Sequence, residues 1–203
     1  MIEDVCAAIN KSTIRAHRRY LRSAQYAALG IPEFYIQSES FIELSRIYSR
    51  EYDLIMEPKL SQLGLTNLGN VDLVIGNFYD PSAPKTDFIV EFKKLNKIDS
   101  FYQDLSRLIQ IIDRGLAKVC IISAYTARSS IKNIDEIIEN SKNSNEIFHN
   151  NNYLFDYFRS DTVYTVGRPQ MINGTLRSGV RRYFSNICIS IRKNFEFRTP
   201  PAP

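Results

Sequence analysis

The chain is poor in the residues that build the commonest structural and catalytic metal sites. It has 3 cysteines and 2 histidines in 203 residues. Cys6, Cys120 and Cys188 are scattered with no paired spacing, which argues against a disulfide framework or a zinc site and predicts reduced thiols in a cytoplasmic protein. His17 and His149 lie in polar or basic surroundings, so a histidine-based triad is poorly supplied. Long apolar runs are also missing. Residues 119–124 form one of the longest, far short of a membrane span, and no membrane partner is expected. The first residues, Met1-Ile2-Glu3-Asp4, are acidic and lack a signal-peptide core. Charge of one sign is scarce: the net charge of +4 is compatible with nucleic acid without demanding it. No internal repeat is visible.

What is present is an ordinary globular composition and a length sufficient for one domain with a real core. Residues 3–29 read as a helix, with a break expected near Asn10. On it Arg15, Arg18, Arg19 and Arg22 fall at i, i+3, i+4 and i+7 and share one face. That face suits either solvent or phosphates. Gly30-Ile31-Pro32 ends the helix. A second helix is expected over 33–50, a strand over 52–57 stopped by Pro58, and a loop over 60–70. Strands are expected over 71–76 and 87–94, a helix over 100–114 ending at Gly115, and an almost wholly apolar strand over 118–125. A helix over 131–140, an exposed loop over 139–152 and a strand over 184–191 follow. Arg168, Arg177, Arg181 and Arg182 make the tail region basic, and the Pro-rich end reads as frayed. The order predicts an α/β fold: a three-layer α/β/α sandwich on a mixed central sheet.

Two of these strands carry charge where a covered strand should not. Asp72 opens Val71-Asp72-Leu73-Val74-Ile75-Gly76, and Glu91 and Lys93 interrupt Phe88-Ile89-Val90-Glu91-Phe92-Lys93-Lys94. Buried ionised groups are costly unless paired or bound to a metal. Alternation puts Glu91 and Lys93 on one face, with Val90 and Phe92 on the other. If the two strands are neighbours, Asp72 and Glu91 converge. Two carboxylates with backbone carbonyl and water suit Mg²⁺ or Mn²⁺. Such an ion would polarise a phosphodiester and activate a bound water, with lysine countering the anionic transition state.

Asp72 followed by Glu91-Phe92-Lys93 resembles the PD-(D/E)xK superfamily of restriction-endonuclease-like phosphodiesterases. The resemblance covers roughly residues 31–125 and implies an αβββαβ core. It departs from the family in placing Asn70-Val71, rather than a proline, before the aspartate. It implies Asp72 and Glu91 as metal ligands and Lys93 as the residue that positions water. It also implies a supporting glutamate on the first core helix, Glu33 or Glu39, with Glu33 favoured because it starts the helix. A polar residue on the helix after the lysine would be Gln103.

Structural roles compete for several of these residues. Glu91 and Lys93 fit a charge pair on an edge strand, and Asp72 fits a turn residue bonding backbone N–H groups. Gln103 fits a capping box with Ser100, and Glu33 fits a first-turn acid favoured by the helix dipole. Three parts are expected: a basic helical segment at 1–30, a nuclease core at 31–140 and an extension at 141–203 belonging to the same domain. The expected function is a metal-dependent nuclease acting on DNA in restriction, defence or repair, with a homodimer or a place in a larger complex as the assemblies open to it. Arg15, Arg18, Arg19, Arg22, Lys94, Arg181 and Arg182 are the expected phosphate contacts. The alternative is a catalytically inactive nuclease-like fold used for nucleic-acid binding or assembly.

Overall fold

Alternation along the strands dictates how the molecule is layered. Ile89 faces one side of the sheet and Phe88, Val90 and Phe92 the other, and the helices divide accordingly. In the computed structural model, residues 1–23, 31–59, 69–78, 85–95, 98–128, 139, 148, 150–166, 170–172, 175–177 and 180–194 are described. They form a mixed α/β fold with three helices: α1 (Ile2–Ser23), α2 (Glu33–Tyr48) and α3 (Ile98–Asp113). The strands are β1 (Asp53–Met56), β2 (Leu73–Asn77), β3 (Lys85–Lys94), β4 (Val119–Arg128), β5 (Tyr153–Val166), β6 (Gln170–Ile172), β7 (Thr175–Arg177) and β8 (Val180–Lys193). Six of them make one mixed sheet in the order β1-β2-β3-β4-β8-β5, and β6 and β7 pair separately. Only β3 and β4 run parallel within that sheet. Helix α3 serves as their crossover, and it packs Leu105, Leu108 and Ile112 on Val74, Ile89 and Ile122. Helices α1 and α2 pack Val5, Ile9, Ile36 and Leu44 on the other set, with Leu73, Phe88 and Ile121. The arrangement is compatible with an α/β sandwich.

Local signals explain the element ends. Strand β1 stops where Glu57 takes φ 48° ahead of Pro58, a backbone that leaves the strand region. Helix α3 ends at Gly115, with φ 71°, whose N–H donates to the Ile112 carbonyl while Leu116 donates to that of Ile111.

Some expectations change. Asn10 does not break α1: its side chain is buried, donates to the Phe158 carbonyl and accepts from Asn186 at 2.6 Å. The polar group is satisfied by β5 and β8 instead of competing for the helix backbone. Helix α3 begins at Ile98, two residues before the expected cap. Gln103 therefore sits too far into the helix to act as a capping-box residue. Strand β5 was not read from sequence at all, although it pairs with β8 over its whole length. As the edge strand of the sheet it is mostly half-buried, so its apolar alternation is blurred. Most of the helix expected over 131–140, most of the 139–152 loop, Arg168 and the Pro-rich end lie outside the described residues. Among the described residues no helix is long and apolar enough to cross a membrane.

Candidate active site

The antiparallel register of β2 and β3 runs through Leu73 opposite Val90. One step further along the same register brings Asp72 opposite Glu91. Their carboxyls lie close enough to perturb each other's titration, as expected for directly opposed residues whose Cβ atoms lie about 5 Å apart. The Phe92 N–H donates to Asp72 Oδ2 at 2.6 Å, fixing the aspartate against β3. The turn-residue role that competed for Asp72 is thus partly present, since it does bond a backbone N–H, but that N–H belongs to the neighbouring strand.

Glu91 and Lys93 both face α3, on the side opposite Phe92. There α3 supplies two residues that the sequence reading did not single out. Asp104 Oδ2 lies 2.6 Å from Lys93 Nζ. Arg107 Nη2 lies 2.5 Å from Glu91 Oε1 and 3.3 Å from Asp104 Oδ1. Its Nη1 donates to the Asn70 carbonyl at 2.9 Å. That carbonyl follows Gly69, whose φ of 75° lies in the left-handed region that glycine enters without a Cβ penalty. Arg107 thus ties α3 to the chain just before Asp72. Asp104 and Arg107 stand at i, i+3 on the border of the helix's apolar stripe, and that spacing is the signal that would have exposed them.

Glu33 joins from the start of α2. Its Oε2 accepts the Lys94 N–H at 3.3 Å. The first-turn position expected for it is observed, and the same position directs it to the end of β3. Glu39, the alternative, lies elsewhere: it is buried against Arg19 at 2.7 Å and Arg15 at 3.5 Å. Gln103 is exposed on α3, and Asp104 beside it makes the contact to Lys93. Tyr125 lies across the β3–β4 ladder from Lys94. It is fully buried with a hydroxyl that has no hydrogen-bond partner among the described residues.

The electrostatics reflect crowding of like charge in a dry place. Burial pushes the Glu91 carboxyl well above its ordinary 4.5, and the neighbouring Asp72 adds to it despite Arg107. Burial raises Asp72 as well, against the opposing Phe92 N–H, and raises Glu33 with Asp72 contributing. Burial works against the Lys93 ammonium, but its bond to Asp104 and the surrounding carboxylates outweigh that and raise its pKa. Lys93 is therefore a fixed positive charge at neutral pH.

The basic stripe of α1 has a different environment. Arg15 bonds Glu43 at 2.8 Å, Arg19 bonds Glu39, and Arg18 donates to the Thr162 hydroxyl at 3.0 Å. Arg15 and Arg19 thus form helix-to-helix ion pairs with α2, and of the three described arginines Arg15 is half-buried while Arg18 and Arg19 are exposed. The side chains of Arg22, Arg181 and Arg182 lie outside the described residues. Lys94 is half-buried at the end of β3.

The donor set bears on a divalent ion. Among the described residues, no three His, Cys, Asp or Glu side chains form a group that could hold a metal by themselves. Asp72 and Glu91 do meet, and Mg²⁺ typically binds through one or two carboxylates while keeping several waters. Two crowded carboxylates with raised pKa values fit such an ion, because its charge relieves their repulsion. Compared with known proteins, the chain matches no family model and no curated sequence.

Proposed function

We propose that this chain is a metal-dependent nuclease that hydrolyses phosphodiester bonds in DNA. The observation that carries this reading is the meeting of the Asp72 and Glu91 carboxyls, with Lys93 two residues on along the same face. The order α2-β1-β2-β3-α3-β4 supports a restriction-endonuclease-like αβββαβ core. The site also lies at the carboxyl ends of the parallel strands β3 and β4, where open α/β sheets bind ligands.

In this reading Asp72 and Glu91 ligate Mg²⁺ or Mn²⁺, and Glu33 supports the site from α2. The chemistry supplied by the bound ion is polarisation of the phosphodiester and a water of lowered pKa. Lys93, held charged by Asp104, orients that water and stabilises the developing negative charge rather than acting as a base. Asp104 fills the polar helix position that the family resemblance assigned to Gln103.

The test is cleavage of a DNA substrate with Mg²⁺ or Mn²⁺ by the wild type, Asp72→Ala and Lys93→Ala. Metal-dependent cutting that disappears in both variants supports the reading, and cutting that survives both sinks it. One observation favours the second reading, a binding fold without catalysis: Arg107 and Lys93 already neutralise Glu91 and Asp104. A calorimetric titration that shows no divalent-ion binding by the wild type selects that alternative.

A further inference from the structure

The guanidinium of Arg107 is the most heavily engaged cation at the site, and its position conflicts with the ion that the site fits. It contacts Glu91, Asp104 and the Asn70 carbonyl at once. Glu91, with a side chain 6% exposed, has one oxygen taken by Arg107 and lies beside the Asp72 carboxyl. Any cation bound by Glu91 therefore meets Arg107 on the same carboxylate. Two positive groups on one buried carboxylate repel strongly in a low-dielectric setting.

Two further observations bear on what Arg107 does next. Among the described residues, the cluster of Asp72, Glu91, Asp104 and Glu33 meets two cations, Lys93 and Arg107. Fully ionised, it carries two negative charges in excess, the charge of one divalent ion. Arg107 is also not fully satisfied where it stands. Its Nε is buried and has no hydrogen-bond partner among the described residues, and a buried donor left unpaired is costly. A planar guanidinium with a spare N–H is matched to the paired oxygens of a phosphodiester.

We propose that Arg107 is a displaceable counter-ion, which holds Glu91 until a divalent cation takes that carboxylate and then turns its guanidinium to the substrate phosphate. This rests on the metal-dependent reading above. Asp104 and the Asn70 carbonyl remain as the hinge about which the side chain moves. Arg107 thereby couples metal loading to substrate binding. The metal-free site carries its own cation, and the loaded site presents that cation to the anion.

The experiment is a calorimetric Mn²⁺ titration of the wild type, Arg107→Ala and Arg107→Gln, each first checked for a cooperative thermal melt. Gln keeps length and polarity if Ala fails to fold. The second measurement is anisotropy of a labelled DNA duplex in Ca²⁺, which supports binding. A displaceable counter-ion gives Mn²⁺ binding about tenfold tighter in the variants, the lower end of what a ligand's hydrogen-bond partner changes. It also gives duplex binding about tenfold weaker, the loss of one charge-assisted bond. Mn²⁺ binding in the variants when the wild type binds none makes Arg107 a permanent counter-ion and overturns the inference. Mn²⁺ affinity that is unchanged or weaker in the variants overturns the inference and leaves the nuclease reading standing. No Mn²⁺ binding by any of the three proteins overturns both.

Discussion

The two faces of the central sheet both carry buried charge, and they treat it in opposite ways. Between α1 and α2 the carboxylates of Glu39 and Glu43 have their own cations. Glu43 is bonded by Arg15 and by Lys11 at 3.2 Å, and these bonds hold its carboxyl below the ordinary range despite burial. That face also holds a neutral network in which Ser123 donates to Asn186 and Asn186 to Asn10. Under α3 the acids outnumber the cations, and Asp72, Glu91 and Glu33 are all raised. Charge between α1 and α2 is matched locally, whereas the α3 side leaves acids unbalanced, and in the proposed reading a ligand supplies the missing partner. This contrast separates the two arginine sets better than exposure or helical periodicity does.

The largest effect that would sharpen the contrast is catalytic. Asp72→Asn removes one carboxylate of the unbalanced face and should cut DNA cleavage by at least about a hundredfold, whereas Glu43→Ala should leave cleavage unchanged. Equal losses in both, in a cleavage assay, would erase the distinction between the faces. Next in size is stability. Glu43→Ala strands Arg15 half-buried and should lower unfolding free energy by about 2 kcal/mol in a denaturant titration, the usual worth of a bond to a charged group. The same Asp72→Asn change should raise stability by about 1 kcal/mol in metal-free protein, because it relieves the crowding around Glu91. A destabilised Asp72→Asn would show that the site carboxylates are structural after all.

The smallest effect is the pH response, and here the faces should have opposite signs. On the α3 face the folded state holds protons more tightly than the unfolded chain. Its contribution is therefore present below the ordinary 3.8 of Asp72 and 4.5 of Glu91, and is lost as pH rises through their raised values. On the other face Glu43 is lowered, so its contribution is present above 4.5 and is lost on further acidification. His17, buried and stacked on Phe184 with ring centroids 3.9 Å apart, is pushed down to about 4 by burial. The unfolded chain protonates at 6.5 and the folded one does not, so stability falls as pH drops from 6.5 towards 4. Thermal melts in a chelator should show His17→Phe flattening the acid limb and Asp72→Asn flattening the alkaline limb. The reverse assignment would break the comparison.

Much of the core was legible along the chain, because its signals are local. The alternation Ile89-Val90-Glu91-Phe92-Lys93 is enough to place Glu91 and Lys93 on one face. The stripe of Leu105, Leu108 and Ile112 is enough to give α3 a buried side. Strand β5 was missed because half-buried residues on an edge strand, including Asp156 paired with Arg192 at 3.4 Å, blur a period of two. For the α1 stripe the sequence leaves both solvent and phosphates open, because periodicity shows which residues share a side but not the acids on α2 that meet Arg15 and Arg19.

The sequence by itself determined the order of the elements and the one-sidedness of Glu91 and Lys93, since both follow from backbone periods of two and 3.6 residues. Tertiary structure alone decided that Asp72 stands opposite Glu91, because strand register depends on pairing between distant segments. It also decided that Glu33 rather than Glu39 reaches the site, and that Asp104 and Arg107 rather than Gln103 close it from α3. On each helix the candidates lie within one or two turns of one another, and only the rotation of the helix against the sheet selects which of them faces the carboxylates.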